Sequence, residues 1–152
     1  MPEAPGRLGA EPRPPPVLFS VIESPGHPNL SALYRRLGIA EVRLASQRKA
    51  VQALKRQAPD YVVAEFFYGF GNNYAGANLS NLDVLLASLQ RYAPAARVIV
   101  LVQKDQRGYV DRLAERFPLR AVLIQPVTPS DVESALQGAE ATINPERASA
   151  PK

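Results

Sequence analysis

Three carboxylates, Asp60, Glu65 and Asp105, stand beside apolar runs and could converge where strands end. Acids on the rim of a sheet can hold a hard cation or move a proton, but only when they come close to one another and to a partner. Scattered acids of this kind are common, and no enzymatic activity is expected from them. His27 lies in Ser24-Pro-Gly-His-Pro-Asn29, with no Ser or Cys at a nucleophile spacing and no G-x-S-x-G word, so it reads as a loop histidine. Gly69, Gly71 and Gly76 precede a helix start and could cradle a small nucleotide or flavin phosphate on backbone N–H groups. Their spacing fits neither G-x-G-x-x-G nor the P-loop, whose lysine is missing. The same stretch is aromatic: Phe66, Phe67, Tyr68, Phe70 and Tyr74 are five of the chain's aromatics, which number six Tyr and five Phe. Phe66 and Phe67 are expected to fill core. Tyr68, Phe70 and Tyr74, set among Gly and the pair Asn72 and Asn73, have the make-up of an adaptable protein-binding surface.

The elements that must position these groups form one domain. A chain of 152 residues is short for two domains, and 46% hydrophobic with 21% charged residues is a globular balance. Six of the 15 prolines fall in residues 1–16 among few bulky apolar groups, which predicts a disordered leader. Residues 139–152 lack periodicity and predict a flexible tail, leaving 17–138 as the domain. Cysteine is absent and histidine occurs once, so disulfides, thiolate sites and histidine metal clusters are excluded. No run of about 18 apolar residues offers a membrane span, no secretory signal follows Met1, and a cytoplasmic protein is expected. The net charge of +4 draws on Arg35, Arg36, Arg43, Arg48, Lys49, Lys55 and Arg56. That excess is modest and carries no recognition motif, so a protein partner is expected rather than nucleic acid.

Periodicity predicts five strands and five helices in strict alternation. The strands are Val17–Glu23, Glu41–Ala45, Tyr61–Phe66, Arg97–Val102 and Arg120–Ile124, the fourth being most apolar and expected at the centre. Asn29 and Ser46 are expected to cap the first two helices, and Gly38 to end the first in a left-handed turn. Ser80 with Asp83 approximates a capping box before Leu82, Leu85, Leu86 and Leu89. Tyr109, Val110, Leu113 and Phe117 should face inward from the fourth helix. Thr128-Pro-Ser-Asp131 gives the fifth a cap, a first-turn proline and an acid. Such alternation implies an α/β, doubly wound, three-layer sandwich with a five-stranded parallel sheet. Sites in such sheets lie at the carboxyl ends of the strands.

This order resembles the receiver domain of response regulators, whose sheet flavodoxins share. Pro59-Asp-Tyr-Val-Val-Ala-Glu65 resembles the stretch leading to the phospho-accepting aspartate. Arg97–Val102 resembles the fourth strand, Ala121-Val-Leu-Ile-Gln-Pro126 the fifth strand with its Lys-Pro pair, and Thr128–Leu136 the start of the fifth helix. The resemblance implies that the family's Mg²⁺-holding acidic pair falls at about Val21 and Ile22, with Glu23 beside them. It places the acceptor at Glu65, the Ser/Thr at Val102 and the Lys at Gln125. Apolar side chains cannot ligate a hard cation, and an amide dipole cannot replace a point charge where phosphoryl oxygens gather. The expectation is a degenerate receiver: a signalling module without catalysis or cofactor that binds a protein partner and could form a homodimer. Glu65 would either mimic a permanently switched-on, phosphorylated state or be merely a polar strand-end residue, solvated or hydrogen-bonded.

Overall fold

The computed structural model describes residues 14–24, 29–68 and 80–137. The expected tail 139–152, most of the leader 1–16, His27 and the span 69–79 lie outside the described residues.

Along the chain come β1 (Val17–Val21), α1 (Ser31–Arg36), β2 (Ala40–Leu44), α2 (Gln47–Leu54), β3 (Tyr61–Glu65), α3 (Asp83–Tyr92) and β4 (Arg97–Val102). A 3-10 turn over Lys104–Gln106 leads into α4 (Arg107–Arg116), followed by β5 (Ala121–Ile124) and α5 (Pro129–Leu136). All strands are parallel, in the order β2-β1-β3-β4-β5. The doubly wound α/β fold expected from alternation is therefore present.

Each strand sends alternate side chains to opposite faces, and the sheet accordingly has two cores. Phe19, Val21, Val62, Ala64, Val100 and Val102 pack beneath Ala50 and Leu54 of α2, Leu85, Leu86 and Leu89 of α3, and Leu113 of α4. On the other face, Leu18, Val63, Ile99, Leu101 and Leu123 meet Leu33 and Tyr34 of α1 and Val132 and Leu136 of α5. The interior strands are apolar on both faces because helices cover both.

Local signals set the helix ends. Asn29 Oδ1 accepts the Ser31 N–H at 2.8 Å at the start of α1. After Leu37, Gly38 takes φ +75°, its N–H reaching the Arg35 carbonyl while the Ile39 N–H reaches that of Tyr34. This double closure satisfies carbonyls the helix leaves open, and a side chain would strain the left-handed residue. Ser46 Oγ accepts the Lys49 N–H, and Thr128 and Asp131 form a reciprocal capping box.

Three expectations need correction. β4 is interior, but the middle of the sheet is β3, since burial on both faces does not distinguish neighbouring interior strands. β1 ends at Val21 and not Glu23, because the next backbone groups turn out of the ladder. Asp60 cannot converge with Glu65: it lies at the opposite end of β3, where its carboxylate accepts the Val17 N–H at 2.8 Å. At about 3.3 Å per residue the strand keeps the two acids more than 10 Å apart.

Candidate functional site

The carboxyl end of β3 carries a buried carboxylate. Glu65 is 2% exposed, and its Oε1 accepts the N–H groups of Glu23 at 2.8 Å and Ser24 at 2.9 Å. These two donors are the first that the chain frees on leaving β1, so Glu65 ties the start of the β1–α1 connection to the neighbouring strand. Backbone amides are good partners for a buried carboxylate because bonds to its oxygens are short and strong and the amides themselves need an acceptor.

The other positions implied by the resemblance gather at the same end of the sheet. Val21, the last residue of β1, is paired with Ala64 and buried in the core beneath α2 and α3. Ile22 packs on the opposite core, and Glu23 enters through its backbone N–H. Val102 closes β4 opposite Ile124, with its side chain fully buried. Gln125 continues β5 by donating its N–H to the Val102 carbonyl, and its side-chain Oε1 accepts Gln103 Nε2 at 2.9 Å. The Gln125–Pro126 peptide is cis. Three apolar side chains (Val21, Ile22 and Val102) and a paired amide thus share the end of the sheet where Glu65 lies, a set that does not fit Mg²⁺. Among the described residues no group of three His, Cys, Asp or Glu side chains could hold a metal ion. Asp105 lies exposed in the 3-10 turn after β4.

Beside this end, the chain leaves β3 and comes back. Phe66 is buried in the core as expected, whereas Phe67 is only half-buried. Tyr68 and Ser80 form an isolated antiparallel bridge that brings the ends of the excursion together. Asn81, which carried no signal in the sequence, holds them. Its Nδ2 donates to the Glu65 carbonyl at 2.9 Å, its Oδ1 accepts the Phe67 N–H at 2.7 Å, and its own N–H reaches the Phe67 carbonyl. Asp83, 4% exposed, accepts the Ser80 N–H and hydroxyl and pairs with Arg116 at 2.9 Å. Phe70, Asn72, Asn73 and Tyr74, expected in the interaction surface with Tyr68, lie outside the described residues, as do Gly69, Gly71 and Gly76. Tyr68 itself is 43% exposed. Its ring stacks on Tyr109 with centroids 3.7 Å apart, and its N–H donates to Gln106 Oε1.

Several solved structures similar to this chain are receiver domains or response regulators. The chain is similar to the chemotaxis response regulator CheY4 of Vibrio cholerae, with a TM-score of 0.62 and 14% identity over 81% of this chain and 97% of that one. It is similar to the signal receiver domain of an HD domain-containing protein from Pseudomonas fluorescens Pf-5, with a TM-score of 0.59 and 18% identity over 80% and 91%. A structure of adenylate cyclase from Rhodopirellula baltica matches at a TM-score of 0.62 and 13% identity, over 80% and 84%. No family model and no curated protein matches the chain. At these identities the likeness is one of fold: this is a receiver-like α/β domain.

Proposed function

We propose that this chain is a degenerate receiver module of bacterial signalling that does not take up phosphate and works through protein contacts. The observation that carries the reading is the engagement of Glu65 by the Glu23 and Ser24 amides. Phosphoryl transfer to a carboxylate needs a free nucleophilic oxygen, a divalent cation and a positive group to gather charge on the transferred oxygens. At this strand end the carboxylate is buried with Oε1 held by two backbone amides, Val21 and Ile22 offer no oxygen, and Gln125 bonds to Gln103. Glu65 then works as a fixed tie that holds the β1–α1 connection in one position. No helix among the described residues is long and apolar enough to cross a membrane. A cytoplasmic setting accords with the absence of cysteine.

The contact surface proposed for a protein partner is the platform of Tyr68 on Tyr109, together with Phe70, Asn72, Asn73 and Tyr74. A half-exposed ring already braced by a second ring loses little freedom on binding, which suits an aromatic anchor. Incubation with acetyl phosphate and Mg²⁺ followed by intact-mass measurement tests the first half of the proposal. The mass should stay unchanged, and a stoichiometric acid-labile phosphoryl adduct would overturn it. For the second half, Tyr68→Ala should weaken partner binding about tenfold or more while leaving the unfolding midpoint nearly unchanged. Loss of folding in that variant would show that the ring belongs to the core.

A further inference from the structure

The sheet has two edges, and they differ. β5 is buried along Ala121, Val122 and Leu123, so its outer side is covered. β2 forms the opposite edge, with Ala40 and Arg43 exposed and Glu41, Val42 and Leu44 only half-buried. An open strand edge presents unpaired N–H and C=O groups to any chain able to pair with it.

The direction of those groups follows from the pairing with β1. Ala40 lies opposite Val17, and its N–H donates to the Pro16 carbonyl at 2.8 Å. In a parallel ladder a residue turns both its backbone groups to the same side, and the side alternates along the strand. Ala40, Val42 and Leu44 therefore bond to β1, while Glu41 and Arg43 turn their backbone N–H and C=O outward.

From this we infer that the β2 edge is a docking site for the β2 edge of a second copy, in antiparallel register about Val42. A two-fold axis through Val42 sets Glu41 of each chain opposite Arg43 of the other. The two outward-facing residues then form hydrogen-bonded pairs, with Val42 facing Val42 in the non-bonded pair between them. That register supplies four backbone hydrogen bonds between the chains. It also sets a carboxylate beside a guanidinium twice, on the same face of the sheet. Centring on Glu41 would oppose two carboxylates, and centring on Arg43 two guanidinium groups, so charge selects one register. The Glu41 side chain is partly positioned, since its Oε1 accepts the Ser31 hydroxyl at 2.6 Å. Arg43 has no hydrogen-bond or ion-pair partner among the described residues. An isologous contact of this kind closes as a dimer and does not propagate.

Two five-residue strands bury little area, and the expected association is weak, at micromolar concentrations or above. Arg35 lines the same groove as Glu41 and Arg43 and repels its counterpart in the other copy, so physiological salt, with a screening length of about 8 Å, favours the directly opposed pairs over this longer-range repulsion. Sedimentation equilibrium of the full chain over a wide concentration range tests the inference. Arg43→Glu and Glu41→Arg each turn both attractive pairs repulsive and should weaken dimerisation about tenfold or more. The double variant Glu41→Arg with Arg43→Glu restores opposition of unlike charges, and its dissociation constant should return to within about threefold of the original. Circular dichroism should show both single variants folded, and their equimolar mixture, which sets two Arg of one chain opposite two Glu of the other, should dimerise where neither variant alone does; if either single variant is unfolded, the double variant decides. A wild-type monomer at every concentration would overturn the inference, whether or not the edge takes up an unrelated extended peptide. So would a dimer indifferent to either single reversal, or a swap variant that stays monomeric.

Discussion

Position 65 shows how one methylene changes what a strand-end carboxylate can do. Glu65 reaches past the end of β3 to the amides of Glu23 and Ser24 and is buried in doing so. Glu65→Ala leaves two donors without an acceptor and should cost about 1–3 kcal/mol, read as a lower urea midpoint at unchanged slope. Glu65→Gln retains one acceptor oxygen and should lose less. Tyr34 makes the opposite case, because it is 1% exposed and its hydroxyl has no hydrogen-bond partner among the described residues. Tyr34→Phe should therefore leave stability unchanged or raise it by about 1 kcal/mol. Burial first, and then the Glu41 carboxylate, push the Tyr34 phenol well above its ordinary value of 10.0. The folded state thus holds a proton that the unfolded chain releases above that value. Stability from the neutral phenol is complete below pH 10.0 and declines as the pH rises beyond it. Urea midpoints on either side of that pH should show a smaller alkaline loss in Tyr34→Phe than in wild type.

Elements closed by near neighbours were legible in the sequence, and those closed at a distance were not. Ser46, the Thr128–Asp131 box and Gly38 act within a few residues, so type and spacing were enough to place them. Gly38→Ala should cost about 1 kcal/mol for the left-handed backbone alone, measurable by thermal unfolding. Ser80 and Asp83 were also anticipated, but the pairing with Arg116 was not. Asp83→Ala removes acceptors for the Ser80 N–H and hydroxyl at a helix start and should cost about 2 kcal/mol. The fold class followed from alternation because periodicity is local. The partners of Glu65, and the bridging by Asn81, depend on how the chain returns to itself, which no spacing encodes. Asp60 failed as a site residue for a related reason: adjacency to a strand does not say which end of the sheet matters until the strand's direction is known.

At the scale of the whole molecule, a receiver-like sheet and its helices are kept while the carboxyl ends of β1, β3, β4 and β5 carry Val21, Glu65, Val102 and Gln125. Those residues favour a fixed end over a switched one: two are core, one binds a loop and one binds a neighbouring glutamine. A scaffold of this kind would be read by its surfaces, through the Tyr68–Tyr109 platform and the β2 edge. The central claim is that the β1–α1 connection is already tied by Glu65 and does not answer to a phosphoryl group. Two-dimensional amide NMR during titration with Mg²⁺ and beryllofluoride, a stable phosphoryl mimic, tests it most directly. The Glu23 and Ser24 amide resonances should stay where they are throughout. A saturable shift of both, with Glu65 as the ligand, would contradict the account.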